Sequence, residues 1–373
     1  MSKRWLTVFE PELPRLVSDL ESLVRLESPT GDPERVSRAA RWVRDRLCER
    51  GVVAELRPCP SAGDALLAST HDGGEGTLLL GHLDTVWPVG TLGAMPWRID
   101  GGRAFGPGVF DMKAGVVAGM AALSAAASDS RAHPASLLLV PDEEAGSAAS
   151  RELTLDVARR HRRVLVLEPS QDGAAKVARK GCGTFRVRFQ GRAAHAGLEP
   201  EKGASALAEM ARFVAFLEQV AEPEEGTTLT ATVARSGSAA NVVPESAELL
   251  VDARAWTTDE AERVRARIRG YRPSDARVVL TVDGGLDRPP LEPTAASQGL
   301  YEAARRLAGE MGLELGAARV GGASDGNLTA AAGIPTLDGL GPRGGGAHAR
   351  DEHVLVADLP VRAALLAGLV TEA

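Results

Sequence analysis

Three predominantly apolar strand segments, separated by helical patterns, limit what this chain can fold into more than any other feature. They are TLLLGH at 77–82, SLLLVP at 136–141 and RVLVLEP at 163–169. Helical patterns lie between them, at about 112–127 and from about 147 onward. Because strands that lack polar alternation are buried on both faces, this order predicts an α/β domain with a parallel or mixed sheet flanked by helices.

A different pattern begins after Lys180. The segment TFRVRFQ at 184–190 alternates apolar and polar residues, which is typical of a sheet with one face in solvent. It opens a βαββαβ order, the composition of a small two-layer α+β domain. Its later elements are helices at about 203–219 and 258–269 and strands near 228–235, 247–254 and 276–282. We interpret the Gly- and Pro-rich run at 283–293 as a linker. The predicted domains are the first part of a larger domain at 1–179, an inserted domain at 180–287 and the second part of the larger domain at 288–373.

Size, charge and cysteine content exclude several classes of protein. A chain of 373 residues exceeds the size at which one core usually stops growing, which agrees with two domains. Its 43 Lys and Arg residues form no basic cluster and face 50 Asp and Glu residues, so we expect no nucleic-acid partner. Three cysteines without a CxxC pair favour neither a disulfide framework nor a thiolate zinc site. No apolar run approaches the ~20 residues of a membrane span, and no signal core is evident, so we expect a cytoplasmic protein.

Side chains of the kinds that bind metals follow each of the three apolar strands. GHLDTV places His82 and Asp84 after the first strand, PDEEAGS places Glu143 and Glu144 after the second, and LEPS places Glu168 after the third. Open α/β sheets bind ligands at the carboxyl ends of their strands. We therefore expect these side chains to lie close together at one edge of the sheet.

Two further segments complete a candidate metal centre. Asp111 lies in GPGVFDMKAG, and His348 lies in the glycine-rich GGGAHARDEH. Imidazole and carboxylate groups bind zinc at about 2.0–2.2 Å, and a carboxylate can bind one ion with each oxygen and hold two ions about 3.5–4 Å apart. We predict a site for two Zn²⁺ ions with Asp111 as the bridge. His and carboxylate donors also accept Mn²⁺ or Co²⁺.

Two acidic residues beside the ligands have their own predicted roles. In an extended His-x-Asp segment, side chains two apart face the same way, so Asp84 can approach the imidazole of His82 and fix its tautomer. Consecutive side chains diverge, so Glu143 can face the substrate while Glu144 binds metal. Glu143 would then act as general base on a metal-bridging water and deliver the proton to the departing amine.

Each of these motifs has a simpler interpretation when it is taken alone. A single His-x-Asp or Glu-Glu is usually a surface or capping feature, Asp111 could be only a helix N-cap, and His348 could be only a loop residue. Their joint occurrence at three strand ends favours a metal centre.

The motifs GHLDTV, GPGVFDMKAG, PDEEAGS, LEPS, GRAAHAG, NVVPESAEL and AHARDEHV, in this order over most of the chain, resemble a zinc metallopeptidase family. That family contains glutamate carboxypeptidase, acetylornithine deacetylase and succinyl-diaminopimelate desuccinylase. The run TLGAMPWRIDGGRAFGPGVFDMKAG and the EP at Glu168 are most similar to the glutamate carboxypeptidase branch. The resemblance implies a zinc-peptidase α/β domain with an inserted lid or dimerisation domain. It assigns His82 and Glu168 to one zinc ion, Glu144 and His348 to the other, Asp111 to the bridge and Glu143 to the base.

The resemblance also implies roles for residues of the inserted domain. His195, in GRAAHAGLEP, matches a lid histidine that reaches across a homodimer to stabilise the oxyanion, although a His between small residues could also be only a turn residue. Asn241, before VVP, matches an asparagine that contacts the oxyanion or the terminal carboxylate of the substrate.

Four more residues match substrate-binding positions of the family. Arg254 and Arg319 match arginines that bind a substrate carboxylate, for which the planar guanidinium is suited, although either could be a solvated cation at a strand end. Ser324 and Asp325, in GGASDG, match the loop that lines the specificity pocket. The glycines of GPRGGGAH replace a bulkier residue expected before His348, which indicates a more open pocket.

These features together predict a di-zinc amidohydrolase. We expect it to cleave a small peptide or N-acyl amino acid with a free carboxylate, most similarly to glutamate carboxypeptidase. The alternatives are an N-acyl-amino-acid deacylase or a hydrolase that releases a product from a carrier. A non-catalytic binding protein on this scaffold should lack a ligand or the base, and all five ligands and Glu143 are present.

Overall fold

The computed structural model describes residues 3–70, 76–129 and 132–372, and the side chain of Glu372 is not part of the description. Its contacts divide the chain into two compact units. Unit 1 comprises Met1–Val177, Pro293–Arg319 and Ser324–Ala373, and unit 2 comprises Ala178–Glu292 and Val320–Ala323.

Helices and strands follow one another along the chain in three stretches. The first stretch contains α1 (Lys3–Phe9), α2 (Leu13–Arg25), α3 (Pro33–Cys48), β1 (Val53–Cys59), β2 (Gly63–Ser69), β3 (Thr77–His82), α4 (Thr91–Ala94), β4 (Arg98–Asp100), β5 (Arg103–Phe105), α5 (Ala114–Ala127), β6 (Ala135–Val140), α6 (Arg151–Ala158), β7 (Arg163–Val166) and β8 (Ala175–Arg179). The second contains β9 (Gly181–Gln190), α7 (Ala206–Val220), β10 (Thr228–Ser236), β11 (Ser246–Ala255), α8 (Thr258–Gly270) and β12 (Val279–Arg288). The third contains α9 (Ala295–Glu310), β13 (Ala317–Val320), α10 (Asp325–Ala331), β14 (Thr336–Leu337), β15 (Gly344–Gly345), β16 (His353–Leu355) and α11 (Asp358–Glu372).

The main sheet of unit 1 is mixed, with strand order β1-β2-β6-β3-β7-β14. Strand β3 pairs in parallel with β6 on one side and with β7 on the other, and β14 continues the parallel part. Strands β1 and β2 add an antiparallel edge. The three strands predicted from apolar runs therefore lie side by side at the centre of the sheet.

Both faces of this sheet are covered, as the apolar runs predict. Alternate residues of one strand enter two different cores: Leu79 packs in the larger core, whereas Leu78 and Leu80 pack in the other. This is the arrangement that removes polar alternation from a strand sequence. The predicted α/β class with a mixed sheet flanked by helices is confirmed.

Helix α5 is the central helix of the larger core. The stretch Val109–Ala127 is apolar and long enough to span a bilayer by composition, but 83% of its most apolar part is buried inside the protein. The last helix, α11, packs against α5, and both are rich in buried Ala and Leu. Small side chains let these helices approach closely.

Unit 2 contains an antiparallel sheet of order β10-β11-β9-β12 with helices α7 and α8 on one face. Phe185, Val187 and Phe189 point from β9 into the core, whereas Arg186 and Arg188 between them are exposed. The alternation in TFRVRFQ therefore corresponds to one buried and one solvated face.

The predicted linker at 283–293 is wrong at its start, because β12 continues to Arg288. The two glycines that suggested a linker are paired with β9. A Cβ atom at Gly284 would lie 2.2 Å from the carbonyl oxygen of Thr184. These glycines permit a close backbone approach within the sheet. Glycine in a sequence can therefore mark such an approach as well as a linker.

Candidate active site

Residues at the ends of the three central strands lie at one edge of the unit 1 sheet. His82 is the last residue of β3 and pairs in register with Val140, the last residue of β6. Glu143 and Glu144 begin a short 3₁₀ turn just after β6, and Glu168 follows β7 by two residues. The parallel arrangement brings these side chains together, as expected for the carboxyl ends of neighbouring strands.

The two carboxylate oxygens of Asp111 face two different histidines. Asp111 Oδ1 lies 3.3 Å from His82 Nε2, and Asp111 Oδ2 lies 3.4 Å from His348 Nε2. His82 Nε2 also lies 3.6 Å from Glu168 Oε1, and His348 Nε2 lies 3.3 Å from Glu144 Oε1. Two groups of three donors thus share one aspartate.

These separations fit metal ions better than direct hydrogen bonds. Charge-assisted hydrogen bonds are about 2.7–2.9 Å long. Donors that surround a tetrahedral ion at about 2.1 Å lie about 3.4 Å apart. Among the described residues, the buried atoms His82 Nε2 and Asp111 Oδ1 have no hydrogen-bond partner.

Two overlapping sets of donors are close enough to hold an ion. One set comprises His82, Asp111 and Glu144, the other comprises His82, Glu143 and Glu168, and within each set the ligand atoms lie within 4.8 Å of one another. The donor chemistry, nitrogen and carboxylate oxygen, suits zinc and related divalent ions. The residues therefore fit a dinuclear centre, and the division of ligands between the two ions stays a prediction.

Protons and metal ions compete for this cluster. Burial by itself would lower the pKa of His82, but the nearby carboxylates of Asp111, Asp84 and Glu168 raise it well above 6.5. The nearby carboxylate of Asp111 raises the pKa of His348 to about 9, and burial raises the pKa of Glu144 to about 7. Because a ligand must be deprotonated, an ion that enters the cluster has to displace these protons.

Asp84 supports the site in a way that differs from the predicted one. The imidazole Nδ1 of His82 lies 2.9 Å from the backbone carbonyl of Asp84 and 3.5 Å from its carboxylate. The buried carboxylate instead accepts hydrogen bonds from the backbone N–H groups of Glu143 and Glu144, both at 3.1 Å, and from Thr30 Oγ1 at 2.8 Å. Its carbonyl orients the ring, and its carboxylate holds the turn that carries both glutamates.

Asp111 lies in an irregular turn, Val109–Lys113, that precedes α5, and its own backbone angles (φ −112°, ψ 98°) are not helical. Gly108 begins the turn with φ of 71°, and a Cβ atom there would lie 2.4 Å from Thr85 Cγ2. The peptide bond between Asp111 and Met112 is cis. The glycine in the motif thus serves a left-handed turn packed closely against the segment after β3.

Sequence reasoning missed one buried residue beside the site, Glu352. Its carboxylate accepts hydrogen bonds from the backbone of the turn that carries Asp111. The available signal was its position in AHARDEHV, four residues after His348, but nothing in that motif indicates that the side chain is buried.

His195 and Asn241 lie together in unit 2. The backbone N–H of Ala196 donates to the carbonyl of Asn241 at 2.8 Å, which joins their loops. The exposed imidazole of His195 accepts hydrogen bonds at Nδ1 from the N–H groups of Gly197 and Leu198, both at 3.1 Å. With Nδ1 as an acceptor, the neutral ring carries its hydrogen on Nε2, which is then a donor.

The two predicted arginines differ in their surroundings. Arg254, half-buried at the end of β11, donates from Nε and Nη2 to Asp252 at 2.9 and 3.3 Å and from Nη1 to the carbonyl of Gly321 at 2.9 Å. Hydrogen bonding to Asp252 raises the pKa of Arg254. Arg319 is exposed on β13. Contact of either arginine with a substrate stays a prediction.

Ser324 and Asp325 are buried, with 0% and 3% of their surface exposed. Ser324 Oγ donates to Asp338 at 2.5 Å and accepts from the backbone N–H of Gly326, so it caps the N-terminus of α10. Asp325 accepts from Ser147 Oγ at 2.5 Å. Both side chains support the start of α10, and a direct role in the specificity pocket stays a prediction.

The sequence profile of Peptidase family M20/M25/M40 matches residues 78–372. This chain belongs to that family. The match contains all the predicted metal ligands and the predicted base. The chain is therefore a metallohydrolase that acts on peptides or acyl amino acids, as the resemblance of its motifs implies.

Individual M20 relatives are similar over nearly the whole chain. Carboxypeptidase G2 of Pseudomonas sp. (strain RS-16) is 29% identical over 376 residues, which cover 97% of this chain and 90% of that protein. Succinyl-diaminopimelate desuccinylase of Thioalkalivibrio sulfidiphilus (strain HL-EbGR7) is 30% identical over 371 residues, which cover 90% and 96%. A solved dinuclear metal binding peptidase of the M20 family from Bacillus subtilis shares the fold, with a TM-score of 0.69 at 14% identity over 97% of this chain and 98% of that one.

Proposed function

We propose that this M20 protein is a di-zinc, glutamate carboxypeptidase-like hydrolase. It cleaves the amide bond of a small peptide or N-acyl amino acid that carries a free carboxylate. The observation that carries the proposal is the placement of Asp111, whose two oxygens face His82 and His348 at 3.3 and 3.4 Å. A carboxylate in this position can hold two ions side by side.

The ligands divide between the two ions as the contacts suggest. His82 and Glu168 would hold one zinc ion, Glu144 and His348 would hold the other, and Asp111 would bridge them. When bound, the ions polarise the scissile carbonyl and lower the pKa of an attacking water toward ~7. Asp84 fixes the ring of His82 through its carbonyl and the Glu143-Glu144 turn through its carboxylate.

Glu143 is the general base. It accepts a proton from the attacking water and delivers it to the departing amine, a role that requires reach to both groups. Its backbone N–H is held by Asp84 at 3.1 Å, so the turn that carries it is anchored before substrate arrives. Anchoring of this kind reduces the reorganisation needed in the transition state.

Unit 2 supplies groups for substrate and oxyanion. His195 donates from Nε2 to the oxyanion, with Asn241 beside it, and acts in the site of a partner subunit of a homodimer formed through unit 2. Arg254 of unit 2 and Arg319 of unit 1 bind the substrate carboxylate, and Ser324 and Asp325 of unit 1 support the pocket loop. These roles rest on the family motifs, and the donor tautomer of His195 supports its part.

The preference for a carboxypeptidase rests on the long alignment with carboxypeptidase G2 and on the motifs of that branch. A second candidate is an N-acyl-amino-acid deacylase, which the 30% identity with a succinyl-diaminopimelate desuccinylase favours. The two differ in which side of the amide the pocket binds.

Metal content and a substrate panel test the proposal together. Purified protein should contain about two zinc ions per chain by elemental analysis, and chelation should abolish hydrolysis that added Zn²⁺ restores. The panel contains N-acyl-glutamates, dipeptides, N-acetyl-amino acids and N-succinyl-amino acids. Preference for N-acyl-glutamates supports the carboxypeptidase, and preference for acetyl or succinyl substrates supports the deacylase. Failure to bind Zn²⁺, Mn²⁺ or Co²⁺ would overturn the ligand assignment.

A further inference from the structure

One fully buried carboxylate, that of Glu352, accepts hydrogen bonds from two other segments of unit 1. Its exposed fraction is 0%. Oε1 accepts from the backbone N–H groups of Phe110 and Asp111 at 2.9 and 3.1 Å. Oε2 accepts from the backbone N–H of Gly108 at 2.9 Å and from Trp87 Nε1 at 2.6 Å. Each oxygen therefore receives two donors.

The segments joined by this carboxylate carry three of the five proposed metal ligands. Trp87 follows His82 by five residues, the turn at 108–111 contains Asp111, and Glu352 itself follows His348 by four residues. Positions that are more than 200 residues apart in the chain meet at one side chain.

We propose that Glu352 is a positioning residue for the metal centre. It holds the backbone of Asp111 so that each oxygen of that carboxylate faces a different histidine. The inference rests on the ligand assignment proposed above. Glu352 acts through Asp111, and its four hydrogen bonds leave neither oxygen with a free role as a ligand.

The carboxylate of Glu352 is hard to replace because it lies near a positive charge and accepts four hydrogen bonds. Buried Lys113 attracts Glu352 and supplies a nearby positive charge. The variant Glu352→Gln conserves shape, but whichever way the amide turns, its NH₂ group faces two N–H donors that have lost their acceptor. An unsatisfied buried donor is costly, so we expect the turn that carries Asp111 to shift.

Asp19 offers a matched control in the same unit. It is a carboxylate with 1% of its surface exposed that accepts from Arg46 Nε and Nη2 at 3.1 and 2.7 Å and from Arg50. The variant Asp19→Asn disturbs a buried carboxylate that joins α2 to α3, and these partners belong to no proposed ligand segment.

The experiment titrates Co²⁺ into metal-free wild type, Glu352→Gln and Asp19→Asn. Calorimetry measures affinity, and visible absorption of the bound Co²⁺ reports ligand geometry. We expect Glu352→Gln to bind at least one ion 10- to 100-fold more weakly and with a changed spectrum, as is typical when a partner of a metal ligand is lost. Asp19→Asn should match wild type in both measurements. Circular dichroism of the metal-free variants verifies that they fold.

Wild-type affinity and spectrum in a folded Glu352→Gln would overturn the inference, and so would an equal loss in Asp19→Asn. If Glu352→Gln does not fold, Trp87→Phe decides, because it removes one donor and keeps the carboxylate. Weaker Co²⁺ binding by Trp87→Phe supports the inference, and unchanged binding overturns it. A wild-type protein that binds no Co²⁺ would instead overturn the proposed function, and this inference with it.

Discussion

Unit 1 and unit 2 hold their candidate functional side chains in opposite ways. In unit 1, the donors other than the exposed His348 are buried or partly buried and converge on Asp111, and backbone N–H groups beside them donate hydrogen bonds to Asp84 and Glu352. In unit 2, His195 and Asn241 are exposed and are oriented by their own loops. Buried polar groups need a partner, whereas exposed ones can remain solvated until a ligand arrives. This difference agrees with the proposal that unit 1 holds the ions and that His195 and Asn241 of unit 2 contact the substrate.

The largest expected effect is the loss of activity when the proposed base of unit 1 is removed. It distinguishes the base from the proposed metal ligands. Glu143→Ala should lower kcat by about 10²–10⁴, the usual contribution of general acid-base catalysis, with two ions per chain retained. Its neighbour is the control, because Glu144→Ala should lower metal content as well. Steady-state kinetics with elemental analysis measures both. Loss of metal in Glu143→Ala would place that residue among the ligands.

The second prediction concerns the exposed histidine of unit 2. His195→Ala should lower kcat by about 10²–10³, which corresponds to the loss of one oxyanion donor, because the transition state loses the Nε2 hydrogen bond. The metal affinity of His195→Ala should equal that of wild type, because the proposed metal ligands all belong to unit 1.

Mixing tests whether His195 acts across a homodimer. A mixture of His195→Ala and Glu143→Ala proteins should regain activity after subunit exchange, since each mixed dimer combines an intact Glu143 with an intact His195 from the other subunit. Absence of recovery in mixed dimers verified by mass spectrometry would place both residues in one subunit's site.

A smaller effect is expected at Arg254. Arg254→Ala should raise KM about 10- to 100-fold for a substrate with a free carboxylate, because a charged hydrogen bond is worth about 1.5–3 kcal/mol. The amidated form of the same substrate is the control and should lose much less. Equal losses for both substrates would indicate that Arg254 only orders Asp252 and the segment at Gly321.

The smallest expected effect is a pH dependence of the metal affinity, which should come from groups of unit 1 alone. Below pH 9, a proton on His348, whose pKa is raised to about 9, must leave before an ion binds. Because His82, whose pKa is also raised, must lose its proton too, apparent Zn²⁺ affinity should rise by about tenfold or more per pH unit up to about pH 9, and more steeply below about pH 7, where Glu144 is also protonated. Competition with a chelating dye between pH 6 and 9 measures this. A flat profile would contradict the proton competition, and His195→Ala should show the wild-type slope.

The sequence by itself determined the class of fold and the identity of the donors. Apolar runs marked β3, β6 and β7, because hydrophobic periodicity is a local property of the chain. Donors at their carboxyl ends followed from the rule for open α/β sheets. The attachment of the β1–β2 hairpin to β6 and the extension of β12 through Gly284 were not evident, since both depend on pairing with distant segments.

Only the tertiary structure decided how the donors are held. The hydrogen bond from the Asp111 N–H to Glu352 joins residues 241 positions apart, and the hydrogen bonds from the N–H groups of Glu143 and Glu144 to Asp84 span 59 and 60 positions. The sequence pattern shows which side chains can bind a metal, but burial and hydrogen bonding between distant segments determine where each oxygen points. For that reason the metal-binding chemistry could be predicted from local motifs, whereas the positioning of Asp111 could not.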